Sequence, residues 1–352
     1  MVKTFAAPHA RAMKPAVLLV NLGTPDSLAI ADVRRFLRTF LTDRRVIEMH
    51  PALWRPILEG IILRVRPRHA ASLYAQIWGE KAGEGVVGSP LMHWSQAQRA
   101  ELDRRLGADA DVFLAMRYSA PTVRQVLTDL QQRGYRRVLV MPMYAQYSAT
   151  TVASVMDEVS RWSLENRDQL EFRMMRSFPT DAHYIEAVAS AIEKVWEDRG
   201  TQPNFSQGER LLLSFHSLPQ AMVDSGDPYV RECEATAKAV VHRLGLDSEY
   251  DRGVLTTYQS VFGPAKWVGP ATIDTVRELG AAGVRRLDVV CPGFATDCLE
   301  TLQEINILNR GEFVKAGGPA DGFTYIPVAN TAPAFMDSME QQVRRGISGW
   351  GL

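Results

Sequence analysis

Gly134-Tyr-Arg-Arg-Val-Leu-Val-Met-Pro142 and Gly283-Val-Arg-Arg-Leu-Asp-Val-Val-Cys-Pro292 are close to one pattern used twice. In each, a helical stretch ends at glycine, two arginines follow, and an apolar run stops at a proline. Thr122 to Met141 and Thr272 to Val290 resemble each other over this whole unit, and Leu18-Leu-Val-Asn-Leu-Gly23 parallels Leu212-Leu-Ser-Phe-His-Ser217. Six such runs occur: Ala16 to Val20, Val112 to Met116, Val138 to Met141, Leu211 to Ser214, Val254 to Thr257 and Leu287 to Cys291. Runs of this length without polar alternation read as strands buried on both faces, the signature of parallel sheet between helices. The fold class is therefore α/β, with two similar halves facing each other, each a parallel sheet flanked by helices.

The bulk composition agrees. With 352 residues, 46% of them hydrophobic, the chain can bury about two domains' worth of core. Forty basic residues balance forty acidic ones, which argues against nucleic acid as a partner. Cys233, Cys291 and Cys298 are odd in number and widely spaced, so neither a disulfide framework nor a four-cysteine cluster is expected. Met1 to Lys14 has no apolar h-region and no run approaches the length that spans a bilayer, so a cytoplasmic protein is expected. Pro51 to Arg68 mixes large apolar residues with Arg55, Arg64, Arg66 and Arg68, as does a surface that touches lipid headgroups or a flat apolar ligand. The alternative is an amphipathic helix packed on its own domain.

In open parallel sheets, ligands sit beyond the carboxyl ends of the strands. The polar residues found there are Asn21 and Thr24, Arg117 and Tyr118, Tyr144 and Tyr147, His216, Gln259 and Ser260, and the set from Asp297 to Glu304. On an α-helix, Asp297, Glu300 and Glu304 would share an arc of about 60°. Together with His216 on the same rim they would suit a divalent first-row metal or general base work. Tyr118, Tyr147, Phe262, Trp267 and Phe294 imply aromatic walls for a large flat ligand, with Arg117 placed to meet a carboxylate on its edge. Asn21-Leu-Gly-Thr-Pro25 lacks the glycine spacing of a phosphate loop, and Gly79 to Gly88 reads as a flexible loop near the cleft.

From about Pro15 to Thr331 the chain resembles the ferrochelatase family in its bacterial form. The motifs are Leu18-Leu-Val-Asn-Leu-Gly-Thr-Pro25, Gly88-Ser-Pro-Leu91, Met116-Arg-Tyr118, Tyr144-Ala-Gln-Tyr-Ser148, Ser214-Phe-His-Ser-Leu-Pro219, Tyr258-Gln-Ser260 with Phe262-Gly-Pro264 and Trp267, and Cys291 to Glu300. The resemblance implies a chelatase fold of two Rossmann-like halves with the active-site cleft between them, and insertion of Fe²⁺ into protoporphyrin IX with release of two protons, the terminal step of haem biosynthesis. It places the family's catalytic, metal-meeting pair on His216 and Glu300, and a proton or metal path on Asp297 and Glu304. Porphyrin-lining positions fall on Leu22, Tyr74, Ser89, Arg117, Tyr118, Tyr147, Ser148 and Trp267.

The repeat puts the boundary between halves in the helix from about Val152 to Glu165, which gives a first half, 15–155, with a cleft lip at about 50–95, a second half, 156–328, and a terminal helix, 329–352, packing back on the first half. The resemblance implies no cofactor beyond the iron and no iron–sulfur cluster, since nothing after Cys298 supplies the ligands that animal members carry. The stretch between Trp78 and Ser89 is longer than the family's short turn, which puts the fit near Tyr74 in question. Leu22 replaces the tyrosine of the coproporphyrin-using branch and favours protoporphyrin IX. Competing readings are a chelatase for another metal and tetrapyrrole, and a haem carrier, which would have no need of three carboxylates. Oligomeric state is not legible.

Overall fold

The computed structural model describes residues 14–350; the reading of Met1 to Lys14 falls almost wholly outside them. Eight strands form two four-stranded parallel sheets. In the first, β1 (Ala16–Asn21), β2 (Asp111–Met116), β3 (Arg137–Pro142) and β4 (Glu171–Met174) lie in the order β2-β1-β3-β4. In the second, β5 (Arg210–His216), β6 (Val254–Gln259), β7 (Leu287–Val290) and β8 (Phe323–Ile326) lie in the order β6-β5-β7-β8. The two orders are the same order, so the internal repeat read in the sequence is a repeat of topology.

Alternation along each strand decides what the sheets bury. Val17 and Leu19 of β1 point into one large core that also takes Leu139, Leu211, Leu213, Phe215 and Val290, so both sheets share it. Leu18 and Val20 face the other way, against Val123, Leu127, Val155 and Trp162 on the outer helices. Leu212, Leu287 and Val289 do the same in the second half against Val276, Ile305 and Phe313. Each fully buried aliphatic side chain of this kind stabilises the fold by roughly 1.5–3 kcal/mol, and because the central core belongs to both sheets, neither half owns it.

The division of the chain differs from the expected one. The first sheet does not end at residue 155, because β4 pairs with β3 through Arg137–Glu171 to Val140–Met174. The crossover follows Met174, before the helix Ala182–Asp198. The terminal helix Pro333–Ile347 lies between the halves: Ser338, Gln342 and Arg345 all reach Asp181 at 2.6–3.0 Å, Arg105 pairs with Asp337, and Gly346 sits so close to Leu139 of β3 that a Cβ would meet it at 2.6 Å. Residues 79–88 are not an open loop either. The Gly79 N–H donates to the Gly88 carbonyl at 2.7 Å, and Val86 is buried beneath the turn.

Candidate active site

The strand ends build the site. His216 is the last residue of β5, half-buried, and its Nδ1 lies 2.6 Å from the Ser217 carbonyl. A carbonyl can only accept, so Nδ1 carries the proton and the lone pair of the neutral ring is on Nε2. The next turn is fixed by its neighbours: Ser217 Oγ donates to the Val268 carbonyl, and Pro219 pairs antiparallel with Trp267. Trp267 thus lies alongside the His216 segment.

Opposite stands the helix Leu299–Asn309, wound with i→i+5 bonds over eleven residues. Such winding is rare and concentrates at functional sites. Gln259, at the end of β6, sets its position: Nε2 donates to the Glu300 carbonyl at 2.8 Å while Oε1 accepts from Ser214 at 2.8 Å. Ser260 follows at φ +64, a left-handed conformation unusual for serine. That turn aims both its N–H and its hydroxyl at Glu304, at 2.7 and 2.5 Å. Burial pushes the Glu304 carboxyl above its usual range, with the Glu300 charge adding to the effect, while Ser260 and the nearby His216 pull the other way. Both Glu304 oxygens are therefore committed, whereas among the described residues Glu300 has the Cys298 thiol beside it and Tyr74 and Tyr144 in its field. Glu300 is the less committed carboxylate.

Asp297 does not share that face. It precedes the helix, ahead of the capping residue Cys298, and accepts from Tyr325 (2.5 Å) and Thr301 (2.9 Å) at Oδ1 and from Asn330 (2.7 Å) at Oδ2. Burial raises its carboxyl above the usual range against the pull of these donors. The three-carboxylate arc assumed an α-helix running through all three residues. The helix instead starts after Asp297 and is wound differently, so Asp297 anchors its start.

The expected lining residues divide similarly. Leu22 packs with Leu91, Met92, Met116, Phe294 and Cys298, an apolar floor drawn from both halves. Ser89 is buried at the start of the helix Pro90–Leu106, one turn from that floor. Tyr74 is buried edge-on to Trp78, and burial, with the nearby Glu300 charge, pushes its phenol well above the ordinary value. Tyr144 lies in the field of both Arg117 and Glu300.

Arg117, however, is not a free carboxylate clamp. Its Nη2 is 2.8 Å from Asp43, its Nε 2.8 Å from Ser154 Oγ, and the Tyr118 hydroxyl also donates to Asp43 at 2.8 Å. Ser148 caps the short π-wound turn Ala149–Ala153 and donates to Asp227, while the Tyr147 ring lies under Arg176 at 4.3 Å.

Each half holds the other's active loop. The Tyr144–Ser148 loop after β3 is gripped by the second half: Gln146 donates to Thr236, Tyr147 N–H to Glu232, and Ala149 N–H to Asp227. The equivalent loop after β7 is gripped by the first: Gln98 donates to the Ala295 carbonyl at 2.8 Å, and Asn21 reaches Thr296 at 3.5 Å. Across the mouth, Arg66 of the lip stacks on Phe262 at 3.9 Å and Gln76 meets Gln303 at 3.5 Å. Among the described residues no three His, Cys, Asp or Glu side chains gather as a ready metal cage, so the divalent site expected from the carboxylate row is not preformed. Asp43, Asp227, Glu232 and Asn330 are missing from the sequence reading. Each acts through a partner distant in the chain and carries no local pattern.

Two facing parallel sheets with polar strand ends turned into one cleft define the two-domain chelatase fold. The same architecture is found in SirB from Bacillus subtilis with Fe³⁺, at a TM-score of 0.55 over 96% of this chain and 97% of that one, with 12% identity. SirB from Bacillus subtilis subspecies spizizenii in complex with cobalt, described as a sirohydrochlorin chelatase, superposes at 0.53 over 95% of each chain, with 11% identity. The family is finer than the fold. A ferrochelatase family model matches residues 14–347. A ferrochelatase of Bordetella pertussis is 43% identical over 95% of this chain and 88% of its own length, and one of Methylococcus capsulatus is 44% identical over 94% and 95%. The chain belongs to the ferrochelatase family and is a metal-chelating lyase.

Proposed function

We propose that this chain inserts Fe²⁺ into protoporphyrin IX, with His216 Nε2 and the Glu300 carboxylate receiving the pyrrole protons and meeting the metal. The observation that carries the reading is the inequality of the groups in the cleft. His216 has one nitrogen fixed by Ser217 and a lone pair left over, and Glu300, beside the Cys298 thiol, is less committed than Glu304, whose two oxygens Ser260 takes. Metal insertion replaces two N–H protons, so it needs acceptors at the nitrogen face of the macrocycle. Glu304, held by Ser260, stands next to them as a relay for protons or iron. An apolar floor at Leu22 supports a porphyrin whose inner edge is uncharged. The reaction needs no cofactor beyond the iron it inserts.

Anaerobic incubation with Fe²⁺ or Zn²⁺ and protoporphyrin IX, followed through the Soret and Q bands, tests this. Metalloporphyrin should form with wild type and fall by at least about a hundredfold with His216→Ala, as loss of a positioned acid–base group does. Equal rates would overturn the assignment.

We place the protein in the cytoplasm, peripheral on the inner membrane face. Among the described residues no helix is long and apolar enough to cross a membrane. Leu53, Ile57, Ile61 and Val65 recur every fourth residue along the lip at 66, 39, 59 and 67% exposure, with Arg55, Arg64 and Arg68 around them. An exposed apolar stripe with arginines at its flanks supports docking on an anionic bilayer. Serine at all four positions should abolish co-sedimentation with anionic phospholipid vesicles; undiminished binding would remove the lip from that role.

A further inference from the structure

We propose that Asp43 is a specificity-determining residue: by holding the Arg117 guanidinium it withholds that cation from the inner wall of the cleft, so the site prefers a tetrapyrrole whose inner edge carries no carboxylate. The proposal rests on the porphyrin reading above and extends it to the choice between porphyrins.

Asp43 sits in the turn after the helix Ile30–Leu41, and its own carbonyl closes that turn by accepting from Val46 and Ile47. Its carboxylate, 2% exposed, collects Arg117, Tyr118 and Ser154 on Oδ2 at 2.8, 2.8 and 2.5 Å, and the Arg45 N–H on Oδ1 at 2.8 Å. Phe40 closes the edge of Tyr118 at 5.0 Å. Four donors keep the carboxyl below its usual range in spite of burial, so the pair is a charged pair.

Arg117 nevertheless belongs to the cleft wall. Its N–H donates to Asn21 and that of Tyr118 to Leu22, the floor residue, and Tyr144 bridges the field between Arg117 and Glu300. Among the described residues the further carboxylate paired with it, Glu158 at 3.9 Å, already serves Arg161 at 3.0 Å and Arg124 at 3.8 Å. Taking the charge from Asp43 would therefore leave Arg117 in excess on a desolvated wall. Such a cation recruits the nearest anion that can form a bidentate pair. A substrate carboxylate on the buried edge is that anion.

The test compares protoporphyrin IX, with two carboxylates, and coproporphyrin III, with four, measuring both Zn²⁺ insertion and metal-free porphyrin binding by fluorescence. In Asp43→Asn, the KM and Kd for coproporphyrin III should fall at least about threefold relative to those for protoporphyrin IX, with the ratio of the two kcat values moving less. Asp43→Glu should restore the wild-type preference. An unchanged ratio in folded Asp43→Asn overturns the proposal. If that variant does not fold, the double variant Asp43→Asn with Arg117→Met, which removes both charges, must keep the wild-type preference; a double variant that prefers coproporphyrin III overturns the proposal equally. Wild type failing on protoporphyrin IX at the outset would instead refute the functional reading.

Discussion

Replacing Ser260 by glycine would isolate a single hydrogen bond in the acidic cluster. At φ +64 glycine takes the native backbone without strain, whereas alanine would not. The N–H to Glu304 Oε1 at 2.7 Å survives, and only the hydroxyl at 2.5 Å from Oε2 is lost. A hydrogen bond to an ionised acceptor is worth roughly 1.5–3 kcal/mol, and one pKa unit corresponds to about 1.4 kcal/mol. Removing it therefore displaces the titration of this carboxyl upward by about one to two units. The direction follows from the environment: burial already raises Glu304, and Ser260 is the strongest of the groups that hold it down. Since a relay must be ionised to accept the next proton, the acid limb of the pH profile of kcat should move to higher pH by about one to two units, and the plateau on the alkaline side should stay within about twofold. Zn²⁺ insertion followed by porphyrin fluorescence from pH 5.5 to 9 would show it, scanned about every half unit. Superimposable acid limbs for Ser260→Gly and wild type would refute the relay role of Glu304.

Asp297→Asn should alter how stability depends on pH. Burial holds the native carboxyl above the usual carboxylate range, so its stabilising contribution is complete below the unfolded value and is lost as pH rises through the folded one. The asparagine variant should lack that decline in its urea midpoint, and an unchanged slope would count against burial as the cause. Gln98→Leu should cost about 2–4 kcal/mol, because the Ala295 and Asn330 carbonyls, at 2.8 and 2.7 Å, both lose a buried donor. A urea midpoint within experimental error of wild type would show that the contact between halves is idle.

What the sequence reveals depends on how many faces of each element are buried. β1, β3, β5 and β7 are covered on both sides and read as largely apolar runs, with Ser214 and Asp288 as buried polar exceptions. β4, Glu171-Phe-Arg-Met174, and β8, Phe323-Thr-Tyr-Ile326, are four-residue edge strands with polar positions. They are invisible to that criterion, and missing β4 put the boundary too early. His216, the last residue of β5, and Glu300, in the helix beyond β7, are legible as candidates because each lies in a distinctive motif at the carboxyl end of a buried strand. The place of Asp297 is not, since no periodicity in Cys298 to Asn309 announces i→i+5 winding. Nor is the fate of Arg117: its partner Asp43 lies 74 positions away, and only the fold brings them together.

The exchange of loops between the halves has a consequence for how the protein comes into being. A chain in which only the first sheet has formed would possess Leu22 and Tyr74 but not the helix of Glu300, and its own Tyr144–Ser148 loop would lack Asp227 and Glu232 to seat it. The second sheet alone would have His216 and Glu300 without the Gln98 grip on the loop that leads to that helix. Competence to handle iron and porphyrin thus arrives only with the last stage of assembly, and a nascent or severed molecule offers neither reagent a finished place to bind.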